Sequence, residues 1–219
     1  MLQYLIGYEH LKIECEKIMK QINYWKLSSI ILLLISISWG AFNYYENKEA
    51  GLQSAEVIQE LRVAMPKGKL VTANQPIINQ EKEMPKQKID DYWYIGEIRI
   101  ESLGIELPVM DQWDYDRLKI SPSRYQGNYF NHNLIIAGHN YQTHFGPLLY
   151  INKGALVEII DVNGNVYRYE VVDMQELKPT ELSKLVQREN QDWDLTLFTC
   201  TSSTLARQIV RCRQIDSDI

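Results

Sequence analysis

The sequence predicts an all-β barrel or sandwich carried behind one membrane-spanning helix. Three observations lead there. Between Lys26 and Glu46 run nineteen residues without a charge, LSSIILLLISISWGAFNYY. From Tyr92 onward, short apolar stretches at strand spacing are separated by turn residues and only brief helical patterns. A parallel α/β sheet would need longer crossover helices between its strands than this region holds.

The chain has 219 residues, enough for one domain plus additional material. Its 45% hydrophobic and 11% aromatic content suffices for a core. Net charge is −5; residues 1–45 contribute +1, from four lysines and three glutamates, so the remainder carries about −6. An acidic remainder argues against a nucleic-acid surface, which needs a basic patch. No internal repeat or long low-complexity run is present.

Crossing the hydrocarbon core takes about 20 mostly apolar residues, so residues 27–45 fit an anchor. The run ends in Trp39, Phe42, Tyr44 and Tyr45, a belt suited to the interface. It is long for a signal peptide, has about 26 residues before it, and is followed by no clear small-residue cleavage site. Serines and Asn43 dilute it, so a buried core helix is the competing reading. Lys12, Lys17, Lys20 and Lys26 precede it, whereas Lys48 behind it stands beside Glu46 and Glu49. The positive-inside rule then predicts a cytoplasmic segment 1–26 and an extracellular remainder.

The elements follow in order. Residues 1–25 read as a short amphipathic helix, and NKEAGLQSAEVIQELRVAM as a second helical stretch. From Pro66 to about Asp91 the composition turns to Pro, Lys, Gln and Asn, so residues 46–91 read as a helical stalk and linker. YIGEIRI, GIELPV and NLIIAG read as strands. ALVEIIDVNGNVYRYEVVDM is a hairpin turning at Asn163-Gly164, with Tyr167, Tyr169 and Val171 on one face. KPTELSKLVQREN places a proline at a helix start, with Thr180 as candidate cap. DLTLFT and RQIVRCRQI are two more strands, which makes residues 92–219 the folded domain.

Three cysteines, Cys15, Cys200 and Cys212, form no disulfide framework. A Cys200–Cys212 bond would remove the best-presented thiol, and Cys212 inside the last strand reads as a buried thiol. Cys200 closes an alternating apolar run, and His139 follows LIIAG, so both emerge where a strand ends. Arg207 opens the strand after Cys200. A nearby cation favours the thiolate, the true nucleophile, and a guanidinium suits a developing oxyanion. Of the other histidines, His10 precedes the membrane run, His132 sits in a loop context, and His144 lies five residues past His139 in a loop pattern. Arg211 and Arg213 share the face of Arg207 but lie farther from Cys200 and read as structural. Glu101 and Glu106 read as solvated carboxylates; no metal is expected.

TLFTC, residues 196–200, resembles the T-L-x-T-C signature of the sortases, transpeptidases that attach proteins to Gram-positive cell walls. NLIIAGHN is similar to the sortase strand ending in the catalytic histidine. GIELPV and GALVEIIDVNGNVYRYEV resemble the family's early strand and central hairpin, and ARQIVR its arginine segment. The resemblance covers residues 92–215. It implies a closed barrel of about eight strands, with Cys200 as nucleophile, His139 as acid/base, Arg207 as oxyanion or substrate ligand, and Thr199 lining the site. It also implies no cofactor, secreted proteins with LPxTG-like sorting signals as substrates, and a peptidoglycan-precursor amine as acceptor. Residues 111–113 follow the second strand and do not match the lid of pilin-linking sortases, which precedes the barrel. That lid and a second apolar span are both missing from the sequence, which weakens the pilin-linking alternative. A cysteine endopeptidase ending in hydrolysis and a non-enzymatic anchored β-domain are the remaining alternatives.

Overall fold

The computed structural model describes residues 2–73, 83–186, 192–201 and 205–216. The chain divides into two compact units, Met1–Glu46 and Asn47–Ile219. Of the linker expected before Tyr92, residues 74–82 lie outside the described residues. So do residues 187–191 of the segment beginning at Lys178.

One helix, α1, runs from Leu2 to Ala64. In the first unit, the side chains of residues 2–9, Ile18 and 20–22 lie outside the described set. Of the apolar face expected over residues 1–25, Leu11 and Ile13 are exposed. The helix is long and apolar enough to cross a membrane, and none of its most apolar window is buried within the protein. That disfavours the core-helix reading. Three of the four serines in the run are satisfied within the helix: Ser28 and Ser29 donate to the Trp25 carbonyl at 2.8 Å and Ser36 donates to the Leu32 carbonyl at 2.9 Å.

The second unit is an eight-stranded closed barrel. Its strands are β3 (Tyr92–Ile100), β4 (Ile105–Met110), β5 (Ser123–Gln126), β6 (Leu134–Ala137), β7 (Leu156–Asp161), β8 (Asn165–Leu177), β9 (Leu195–Cys200) and β10 (Arg207–Gln214). They pair in the order β8-β10-β9-β6-β5-β4-β3, and β7 closes the ring by pairing with both β3 and β8. Two short strands are appended: β1 (Lys69–Leu70) runs parallel to β8, and β2 (Gln87–Ile89) pairs with β3. The mainly β class and the barrel expected from the sequence are both present.

Alternation explains the inside of the barrel. Tyr167, Tyr169 and Val171 point inward, as the sequence pattern predicts, and meet Leu195, Leu197 and Val210 in the main core. Ile95, Ile98 and Ile100 are all fully buried although their spacing breaks a strict period of two. A bulge between Tyr94 and Gly96 inserts the extra residue and restores the inward row. The Asn163-Gly164 turn forms with only Gly164 left-handed, at φ 76°, and the Asp161 carboxylate accepts from the amides of Asn163 and Asn165, both at 2.9 Å. A two-residue type I′ turn would need Asn163 left-handed as well. A 3-10 helix spans Pro179–Leu185, but its cap is Lys178, not Thr180. The Glu181 carboxylate reaches back to the Lys178 amide at 3.2 Å.

Residues 47–64 of α1 belong to the barrel unit. Ala50, Ser54, Ile58 and Leu61 form a buried stripe at helical spacing. Burying Ile58 and Leu61 contributes about 2 kcal/mol each. At the end of the helix, Arg62 meets the buried Glu97 carboxylate at 2.7 Å and Glu106 at 2.6 Å. Arg99 satisfies Glu97 from the other side at 2.5 Å. The Arg62 guanidinium holds the Glu106 carboxyl below its ordinary range, so Glu106, half exposed to solvent as expected, is also an ion-pair partner.

Candidate active site

Strand parity builds the site. On β9, Leu195 and Leu197 enter the barrel, and Thr199 continues their row, buried at 1% exposure. Phe198 and Cys200 therefore face outward. The outer face carries a second apolar cluster of Ile135, Ala137, Leu177, Leu185, Phe198 and Ile209. Cys200 ends this row, partly exposed.

Arg207 is the direct antiparallel partner of Cys200. Opposed residues of such a pair share one face, with Cβ atoms about 5 Å apart. The guanidinium is thus within reach of the thiol's surroundings. Thr201 N–H donates to the Ala206 carbonyl at 3.0 Å and closes the connection between the two strands.

His139 arrives from β6, which runs parallel to β9 with Ala137 opposite Phe198. The Gly138 amide continues the ladder by donating to the Phe198 carbonyl at 3.0 Å. His139 and Cys200 therefore stand two residues beyond the same register pair, at the same barrel end. A side chain at 138 would collide with the ring of buried Phe145, so glycine lets the histidine loop fold back. The His139 ring stacks on Tyr141, with centroids 3.7 Å apart and planes 20° from parallel. The Asn140 amide group reaches the Thr201 carbonyl at 3.5 Å and ties the histidine loop to the residue after the thiol.

The remaining candidates are engaged elsewhere than at the thiol. His144 is fully buried, with Nε2 at 3.1 Å from Ser54 Oγ. His132 is a left-handed loop residue at 3.4 Å from Asp194. Cys212 lies in the barrel core, where burial pushes its thiol pKa up. Cys212 faces inward and Cys200 outward, and all three cysteines are free thiols. Arg211 stacks on Trp193 at 3.8 Å, and Arg213 donates to the Asp192 carbonyl at 3.0 and 3.1 Å. Both guanidiniums are thus engaged away from the thiol. Thr199 Oγ1 is buried without a hydrogen-bond partner among the described residues.

A cleft of about 110 Å³ opens along the outer face, between Thr196, Ile135 and Leu185. Larger cavities of about 290 and 560 Å³ lie around Lys86 and Asp111, where Arg124 meets Asp111 at 2.7 Å. They hold no cysteine or histidine, so cavity size does not locate the chemistry. Among the described residues no cluster of His, Cys, Asp or Glu could hold a metal ion. Tyr141 and the helix behind His144 carry no signal in the sequence: stacking and docking have no motif.

Burial lowers the His144 pKa from 6.5 to about 4, against a weaker opposing pull from the Ala50 carbonyl. Between those values the unfolded chain binds a proton that the folded protein refuses. The stabilisation is complete above about pH 6.5 and is lost as pH falls toward 4, by roughly 3 kcal/mol. Urea unfolding at pH 7 and pH 4.5 should show this loss, and His144→Gln should flatten it.

The sortase domain family model matches residues 98–215. Sortase A of Bacillus anthracis is 24% identical over 191 residues, covering 82% of this chain and 90% of that protein. The type I crystal structure of Streptococcus agalactiae sortase C1 superposes with a TM-score of 0.51 at 20% identity, covering 57% of this chain and 71% of that one. Sortase C1 of GBS pilus island 1 gives 0.50 at 20% identity, covering 57% and 67%. The two structures share the fold of the barrel.

Proposed function

The chain belongs to the sortase family of cysteine transpeptidases, and we propose that it cleaves an LPxTG-like sorting signal and transfers the acyl group to an amine of a cell-wall precursor. Residues 27–45 cross the membrane, residues 1–26 stay in the cytoplasm, and the barrel of residues 92–219 works outside. The lysine bias before the apolar run supports that orientation.

The observation that carries the reading is the convergence at one barrel end. Cys200 and Arg207 are register partners, and His139 stands two residues past the end of the neighbouring parallel strand. Cys200 as thiolate attacks the carbonyl carbon of the signal's threonine. Arg207 steadies the oxyanion of the tetrahedral intermediate. The C–N bond breaks as His139 gives a proton to the leaving amine. The resulting thioester keeps the energy of the cleaved amide. An acceptor amine then attacks it, loses a proton to His139 and releases Cys200, leaving one new amide bond. Thr199 backs the site from the inner face of β9, behind the thiol.

The test is intact-protein mass spectrometry of the full chain in detergent, mixed with LPxTG-like peptides, with and without a short amine. An acyl adduct on Cys200, plus a ligated product when amine is added, is the expected result. An adduct releasing only free acid would make the chain an endopeptidase. The absence of any adduct would overturn the substrate class.

A further inference from the structure

We propose that residues 47–54 of α1 are a positioning element for His139, acting through the loop 140–146; this rests on His139 acting as the proposed acid/base. The helix grips that loop at two points. Asn47 accepts from Thr143, whose amide donates to its side-chain oxygen at 3.2 Å and whose hydroxyl donates to its carbonyl at 2.9 Å. Deeper in, Ser54 is buried at 1% exposure and donates its only hydroxyl proton to the Ile120 carbonyl at 2.5 Å. Its oxygen is then left to accept, so the Nε2 of His144, 3.1 Å away, is the donor. The same nitrogen lies 3.4 Å from the Ala50 carbonyl. The helix thereby fixes the ring orientation and tautomer of a neutral imidazole. Close approach is built in: a side chain at Gly51 would press on Thr143.

The loop transmits this grip to the site. His144 and Gly146 donate to the Tyr141 carbonyl at 3.0 and 2.9 Å, and Phe145 donates to the His139 carbonyl at 3.0 Å. The rings follow in sequence: His144 lies 5.5 Å from Tyr141, and Tyr141 stacks on His139 at 3.7 Å. Buried Ser54 and His144 anchor one end of this stack, and His139 is the other end. The membrane-proximal helix therefore sets the imidazole's position without touching the thiol. A positioning error of about 1 Å costs on the order of a hundredfold in rate.

The experiment uses the full chain in detergent, with Ser54→Ala, Ser54→Thr, Thr143→Val, Tyr141→Leu and Tyr141→Phe. Ser54→Ala and Tyr141→Leu should lower kcat roughly tenfold to a hundredfold, with KM for the sorting peptide within about twofold. Ser54→Thr keeps the hydroxyl and Tyr141→Phe keeps the ring, so both should restore most of kcat. Thr143→Val, on the exposed side of the grip, tests the same coupling without disturbing the buried serine and should lower kcat with KM unchanged. Unchanged kcat in Ser54→Ala and Thr143→Val, or a rise in KM alone, overturns the proposal. If His139→Ala itself keeps full activity, the acid/base reading fails first, and the two failures are thereby told apart.

Discussion

Cys200→Ala is expected to abolish acyl transfer, by roughly 10⁴-fold or more, while leaving the barrel about as stable as the parent. The side chain sits at the outward end of β9, partly exposed and outside the apolar clusters. Truncating it opens no core cavity, and such surface changes stay within about 0.5 kcal/mol. Cys212→Ala should do the reverse. That thiol is fully buried among the inward residues of the barrel, so its loss should cost about 2 kcal/mol and leave turnover intact. Intact-mass detection of the acyl adduct and urea unfolding of both variants read the two effects separately. Turnover retained in Cys200→Ala would remove the nucleophile from the proposed mechanism. A stability loss there equal to that of Cys212→Ala would mean that the thiol is a core residue after all.

The strands around this thiol were legible because each alternates. Apolar parity in YRYEV and LTLF states which side chains enter a core before any partner strand is known. Closure was less legible. It depends on β7 pairing with β3 on one side and β8 on the other, and no single segment encodes a long-range pairing. The bulge at Ile95 shows the same limit from inside one strand: the odd spacing to Ile98 makes sense only against the register of β4. The TLFTC segment and the strand before His139 carry purely local patterns, and each forms one strand of the fold, β9 and β6. The docking of residues 47–64 was not legible. Its buried stripe mixes alanine and serine with two large apolar residues, so its hydrophobic signal is weak. Its strongest anchor, Arg62 on Glu97, joins residues 35 positions apart. The Tyr141 stack likewise depends on how a loop folds back, not on residue spacing.

His139→Ala should lower peptide turnover by roughly 10²–10⁴-fold, the usual worth of a positioned acid/base group. The size of the loss should depend on the leaving group. An amide nitrogen leaves poorly as an anion and needs a proton as the C–N bond breaks. An activated aryl ester of the same sorting signal leaves without one. If His139 supplies that proton, the variant should lose far more on the peptide than on the ester. If the imidazole acts only by favouring the thiolate, both substrates should slow equally, because the same nucleophile attacks each. The geometry suits the first outcome. His139 stands beyond the Ala137–Phe198 register pair on the strand beside Cys200, and Arg207 occupies the opposite neighbour of the thiol. In the proposed mechanism, an acid and an oxyanion ligand on opposite flanks of one nucleophile would meet different atoms of the scissile bond, the nitrogen and the oxygen. Arg207→Ala should therefore slow the ester and the peptide alike, because both pass through the same oxyanion. Leaving-group dependence in His139→Ala together with its absence in Arg207→Ala would assign each flank its role, and equal dependence in both would withdraw the assignment.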